Sequence, residues 1–236
     1  MTDQRTQCAR LVSLAVHELR TPTAVVSGYL RLVLRHFGEG LTDQQRKLLE
    51  ESEKSCGTLS RLLADFDDLG RLEDGQVILN RAPVDLRALL AEAASNVHEG
   101  SDRGLTVEVD GGTGELPVSA DRARLGEALA SLMAAVVRER REGARLVAEA
   151  RLDPGPPAAA IVAFGDAESA PALALDPEAR ARPFDEYRGG LGFRLAAAAR
   201  IVEAHRGRLA SPVAERGRLS ILLTLPLTAT DPENAR

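Results

Sequence analysis

His17 stands in the run AVHELRTPTAVV, residues 15–26, with Glu18 beside it and Thr21 one helical turn further on. An imidazole titrates near neutrality, so its bare ring nitrogen can accept a phosphoryl group at physiological pH. A neighbouring carboxylate can orient the ring or hold its proton, and a hydroxyl one turn away can hold a water for attack on a phosphoryl group. A lone histidine on a helix is most often a plain surface residue. Three such groups on one face make phosphoryl chemistry the sharper expectation.

The element that must position them is a long helix over residues 4–37. Cys8, Val12, Ala15, Leu19, Pro22, Val26, Tyr29 and Val33 alternate spacings of four and three, an apolar stripe of coiled-coil type. Arg10, Ser13, His17, Arg20, Ser27 and Arg31 fall on the opposite, polar side, which places His17 toward solvent. Pro22 removes a backbone donor and is expected to kink the helix beside the site. Two glycines in FGEGLT (37–42) break the helix, and Thr42 is placed to cap a second one over about 43–73. There Leu49, Ser52, Cys56, Leu59, Leu63 and Phe66 repeat the heptad. Such a hairpin leaves too much apolar surface bare, so a homodimeric four-helix bundle is expected.

After residue 76 the pattern changes to strands interleaved with helices. VILN (77–80), LTVEV (105–109), ARLVAEAR (144–151), AAIVAF (159–164) and RLSILLTLP (218–226) read as strands. Residues 83–97, with Pro83 in the first turn, 121–137 and 190–205 read as helices. Residues 166–187 carry little regular signal. The expected fold is therefore an all-α hairpin over 1–75, then an α/β sandwich over 76–228, with a disordered tail over 229–236.

Composition narrows the function. The 236 residues carry a formal net charge of −5, which argues against a nucleic-acid surface. Aromatics make up 3% with no Trp, so the core is built from Leu, Val and Ala. Cys8 and Cys56 have no metal-ligand spacing and read as buried free thiols, and no metal site is expected. The opening MTDQRTQCAR has no apolar stretch, and the longest apolar run, ALASLMAAVV (128–137), is about half of what a bilayer span needs. A cytoplasmic protein with no membrane segment is expected, with no room for a sensor ahead of His17. His36, His98 and His205 have no constellation around them and are expected at the surface.

The stretch HELRTP resembles the H-box of bacterial two-component sensor histidine kinases. The resemblance continues through VDLRALLAEAA, GLTVEV, LPVSADRARLGEALASL and GGLGFRLAAAARIVEAHRGRLASPVAERGRLSILLTLP, covering nearly all of residues 5–228. It implies a dimerisation and phosphoacceptor domain followed by an ATP-binding domain of the GHKL type. It also implies that His17 is the phosphorylated residue, Glu18 its acidic partner, and Thr21 part of an E-x-x-T phosphatase pattern.

At the implied nucleotide site the chain departs from the family. The N-box, roughly L-x-N-L-x-x-N-A, here reads LASLMAAV (129–136), so Ser131 and Ala135 replace the two asparagines, the second of which helps hold magnesium. A methyl group cannot ligate a hard cation. Glu127 does stand at the motif's acidic position one turn earlier. In the G1 box, D-x-G-x-G, the adenine-reading aspartate would be Asp166, but Glu168 and Ala170 replace the glycines. Gly190 and Gly192 match the G2 box, where backbone N–H groups could cradle a phosphate. The loop that closes over nucleotide in most relatives is cut short between Phe184 and these glycines.

Three readings stay open. In the first, His17 exchanges a phosphoryl group with the aspartate of a response-regulator receiver domain, as phosphotransferase or phosphatase, with an impaired ATP site and no certain cofactor. In the second, the chain is an active ATP-dependent kinase, with ATP and Mg2+ held by a divergent site that leans on Glu127 or Asp166. In the third it is a non-catalytic dimeric adaptor for a receiver or another histidine kinase.

Overall fold

The structure, a computed structural model, describes residues 2–73, 77–110, 112, 114–141, 143–186, 188, 191–212 and 218–227. The chain divides into two compact units, residues 1–77 and 78–236.

The first unit is a helical hairpin of α1 (Thr2–His36) and α2 (Asp43–Glu73). Its loop is a 3-10 turn over Gly38–Gly40, held by Arg46, whose Nη2 donates to the Gly38 carbonyl at 2.6 Å. Thr42 starts α2 as a reciprocal capping box: the Gln45 N–H donates to Thr42 Oγ1 at 3.2 Å, and the Thr42 N–H donates to Gln45 Oε1 at 3.0 Å. Replacing Thr42 by Ala should therefore cost about 1 kcal/mol, read as a shift in the denaturation midpoint. An unchanged midpoint would mean the box adds nothing.

α1 runs as one helix through Pro22. Toward α2 it turns Val16, Thr23 and Ser27, each nine-tenths or more buried. Most of the expected apolar stripe does not reach that seam. Val12 and Val33 are half-buried, whereas Ala15, Leu19, Pro22, Val26 and Tyr29 stay exposed. Ser27, expected on the polar side, is buried. The heptad in α2 fares better, with Leu63 buried, Leu49, Cys56 and Phe66 half-buried, and Ser52 and Leu59 exposed. Cys56 is a free thiol; the side chain of Cys8 lies outside the described residues.

The second unit contains β1 (Ala82–Asp85), α3 (Leu86–Ser95), β2 (Val107–Asp110), β3 (Pro117–Ala120), α4 (Arg122–Arg138), β4 (Leu146–Asp153) and β5 (Ala159–Asp166). After them come α5 (Ala170–Leu175), α6 (Pro177–Arg180), α7 (Phe193–Ala204), β6 (Arg208–Ala210) and β7 (Ile221–Pro226). Its main sheet has the order β2-β4-β5-β7-β6, antiparallel except for the parallel β2–β4 pair, and β1 pairs with β3 apart from it. On one face lie the main helices, with fully buried Leu86, Leu89, Leu90, Leu125, Leu129, Leu132 and Leu195. Alternation along β5 sends Ile161 and Ala163 to the other face, where Ala170, Ala174 and Ala179 of α5 and α6 cover them.

Several expected elements shift. Residues 77–80 form no strand; the strand begins at Ala82, and Pro83 lies in it rather than in a helix turn. Asp85, accepting from the Arg87 N–H at 3.2 Å, caps α3 instead. The short strands β3 and β6 and the helices α5 and α6 were not legible. The expected disordered tail lies outside the described residues.

Candidate functional site

α1 presents His17 to solvent. Its side chain is 78% exposed and that of Glu18 is 72% exposed, with Glu18 Oε1 3.7 Å from His17 Nδ1. The carboxylate thus stands beside the δ nitrogen, beyond hydrogen-bond distance. Thr21 and Arg20 are exposed on the same flank. Arg20 reaches across the hairpin to Asp67 of α2 at 3.4 Å, and Arg71 approaches the same oxygen at 3.5 Å. Glu18 and Thr21 are gathered around His17 by helical spacing alone.

A second constellation forms where α4 ends. Leu125 to Val137 on its inner face are buried, Ala135 completely. The Ser131 hydroxyl is turned back onto its own helix, donating to the Glu127 carbonyl at 2.9 Å. Glu127 itself is exposed. Directly after α4, Glu139 and Arg140 turn inward. Arg140 is completely buried; its Nε donates to Asp166 Oδ1 at 2.9 Å and its Nη2 to the Leu219 carbonyl at 2.7 Å. Arg218 adds a second cation 3.5 Å from Asp166 Oδ2.

Glu139 completes the arrangement. It accepts both from Arg188, at 2.8 and 3.0 Å, and from the Leu219 N–H at 2.7 Å. Burial alone would push the Glu139 carboxyl up. The Arg188 and Leu219 hydrogen bonds, with the charges of Arg188 and Arg140, outweigh it and hold the group below its ordinary value. The dipeptide Glu139-Arg140 therefore satisfies both backbone polar groups of Leu219 and ties residue 188, in the shortened loop, to the end of α4.

Gly192, which precedes α7, has φ 60° and ψ −133°, a backbone region open essentially to glycine alone. As a glycine, Gly192 supplies no side-chain cap to α7. Gly190 lies outside the described residues. Among the described residues no His, Cys, Asp and Glu cluster has the geometry of a metal site.

Of the residues singled out in the sequence, His17, Glu18 and Thr21 come together on one flank of α1. Asp166 is brought instead to Arg140 and Arg218, which sequence reasoning missed, as it missed Glu139 and Arg188. The available signal was RER (138–140) directly behind an apolar helix run, since charges placed there must either leave the core or pair within it. His205, expected at the surface, is 2% exposed.

Known proteins resemble the chain in both of its units. The His Kinase A (phospho-acceptor) domain matches residues 9–75. The chain carries this phosphoacceptor domain and is similar along most of its length to two-component sensor histidine kinases. It is 31% identical over 227 residues to the signal transduction histidine-protein kinase BaeS of Escherichia coli, covering 89% of this chain and 45% of that protein. The full-length structure of ShkA in complex with AMPPNP superposes with a TM-score of 0.71 at 26% identity, over 93% of this chain and 46% of that one. The Acinetobacter baumannii kinase AdeS shares the fold, with a TM-score of 0.56 at 21% identity, over 90% of this chain and 98% of that one. The chain thus spans about half the length of BaeS and ShkA. Among the described residues no helix is long and apolar enough to cross a membrane.

Proposed function

We propose that this histidine kinase chain works as a homodimeric phosphotransfer protein: His17 exchanges a phosphoryl group with a receiver-domain aspartate, and ATP is not its donor. The observation that carries the reading is the engagement of Asp166 by the buried Arg140. In that state each oxygen of the carboxylate that would read adenine faces a guanidinium group, Oδ1 that of Arg140 and Oδ2 that of Arg218. A buried Ala135 methyl at the magnesium position supports the same conclusion, and the residues present do not fit Mg-ATP.

The chemistry at His17 follows from its geometry. With Glu18 facing Nδ1, the favoured neutral tautomer carries its proton there and leaves the lone pair on Nε2. Nε2 attacks the phosphorus of an aspartyl phosphate in line. The new N–P bond forms as the acyl P–O bond breaks, and the aspartate leaves as a carboxylate. Glu18 stabilises the Nδ1–H of the phosphorylated ring. The reverse sequence returns the phosphoryl group to the receiver. Thr21 lies within one turn of the same ring, where its hydroxyl can orient water toward a receiver's acyl phosphate in a phosphatase step.

The homodimer rests on Leu11, Leu14, Leu19, Val25, Val26, Tyr29 and Leu32, which are 49% to 67% exposed on α1. That apolar surface, which reaches the His17 flank at Leu14, is suited to a second hairpin.

A second reading, the ATP-dependent kinase, is favoured by the glycine-only backbone at Gly192 and the likeness to ShkA. The two separate in one experiment. The protein is incubated with radiolabelled Mg-ATP, or with a radiolabelled phospho-receiver, and the acid-labile, base-stable label is counted. Label from the receiver alone is expected. Label from Mg-ATP would overturn the proposal in favour of the kinase, and label from neither would leave the adaptor.

A further inference from the structure

The buried ring of His205 is held by two backbone groups of opposite character. Its Nδ1 lies 2.7 Å from the Ile201 carbonyl, and its Nε2 accepts the Asp121 N–H at 2.9 Å. Nδ1 faces an acceptor and so carries the hydrogen; Nε2 faces a donor and must be bare. Only one neutral tautomer satisfies both. The ring cannot shift to relieve a change, because α7 ends in a complete Schellman motif. The Arg206 N–H donates to the Glu203 carbonyl at 2.8 Å and the Gly207 N–H to the Val202 carbonyl at 2.9 Å, with Arg206 in the left-handed region at φ 61°. At Gly207 an added Cβ would lie 2.9 Å from the Thr224 carbonyl, which fixes this turn against β7.

The same groups hold the segment that opens the α/β unit. Asp121 caps α4, its Oδ1 accepting the Arg124 N–H at 3.2 Å, while its Oδ2 accepts the Asn80 N–H at 3.1 Å. Next to Asn80, Arg81 donates through Nη2 to the Ala204 carbonyl, one residue before His205. His205 therefore joins the end of α7, the cap of α4 and residues 80–81, which follow directly on the boundary at 77–78.

We propose that His205 is a proton-operated clasp: formation of its imidazolium releases Asn80 and Arg81 and lengthens the tether between α2 and the α/β unit. A second proton at Nε2 would set N–H against the Asp121 N–H, two donors with no acceptor between them. An acceptor in the same cluster is the Asp121 carboxylate, whose charge already acts on the ring. Turning to it displaces the Asn80 N–H, and the new cation repels the Arg81 guanidinium. Freed residues 80–81 add roughly 7 Å of reach at about 3.4 Å each. The clasp goes beyond the phosphotransfer reading and does not depend on it.

The charged groups bearing on the ring are Arg81 and Asp121. Burial pushes the His205 titration below its ordinary value; the Ile201 bond and Asp121 pull it up, and Arg81 pushes it down again. The unfolded chain then binds the proton more readily than the folded one. The neutral clasp is fully in place above about pH 6.5 and is lost as pH falls from there through the lower, folded value.

The test is an NMR titration of the full chain from pH 7.5 to 5, following the His205 ring and the Asn80 amide, with hydrogen exchange corrected for its intrinsic pH dependence. The expected result is one shared midpoint, with Asn80 protection falling about tenfold through it while β4 and β5 amides stay protected. A His205→Gln chain, which cannot take up the proton, should lose the pH dependence of Asn80 exchange. If that variant does not fold, the native titration decides alone. Asn80 protection unchanged while His205 titrates would overturn the clasp, as would a ring that stays neutral until the whole unit unfolds.

Discussion

A His17→Gln chain should take up no phosphoryl group from a phosphorylated receiver, its labelling falling roughly 10³-fold or more, the order expected when a nucleophile is removed. The expectation is sharp because nothing else in the site substitutes for the ring. Glu18 and Thr21 share its flank, but neither is a neutral nitrogen nucleophile. The substitution is also structurally quiet. With 78% of the His17 side chain exposed, stability should move by no more than about 0.5 kcal/mol, so loss of label cannot be blamed on unfolding. Glutamine keeps the length and the hydrogen bonding of the side chain and removes only the chemistry. Labelling that survives the substitution would remove His17 from the mechanism. Unchanged signalling by an unlabelled His17→Gln chain would instead identify an adaptor.

The second large effect concerns stability. Asp166→Ala is expected to destabilise the α/β unit by about 3–5 kcal/mol, because it takes away the carboxylate ion-paired with the completely buried Arg140. For a unit of this size that is roughly a 10 °C fall in melting temperature. Arg140→Met should cost less than Asp166→Ala. Asp166 is 15% exposed and keeps Arg218, and the methionine fills the vacated volume. The order of the two values is the informative part. An aspartate held ready for a nucleotide would be expendable in the ligand-free protein, so a loss below about 1 kcal/mol for Asp166→Ala would argue that the carboxylate serves a ligand. Thermal or urea unfolding of the two variants beside the parent decides it.

Glu139 and Arg188 belong to the same lattice. Because the Glu139 carboxyl titrates below its ordinary value when folded, its stabilising effect is present above the ordinary carboxylate range. It is lost as pH falls through the folded value. Together with Arg140 and Asp166 it ties the ends of α4 and β5 to the start of β7 through their own charges.

Much of this protein is written locally. The helix that carries His17, the break at residues 37–42 and the Thr42 cap follow from periodicity, glycine and hydrogen-bonding chemistry that act within a few residues. The gathering of His17, Glu18 and Thr21 is of the same kind, because a helix fixes what lies one turn apart whatever surrounds it. The resemblance carried by HELRTP likewise pointed to the family without a structure.

What only the tertiary structure decided are the pairings between distant segments. Heptad spacing identified an apolar stripe on α1 but not which flank α2 covers; Val16, Thr23 and Ser27 fill that seam, and much of the stripe remains bare. Asp166 could be placed at the end of a strand from alternation. Its partners, 26 and 52 positions away in Arg140 and Arg218, could not, since no local rule says which buried charges will meet. His205 looked like a surface residue because histidine carries no burial signal of its own, and its partners are the backbone groups of Ile201 and Asp121. Side-chain type and spacing determine what chemistry a segment can do. Long-range packing, through the cost of leaving a buried polar group unpaired, determines which of those groups remain free to do it.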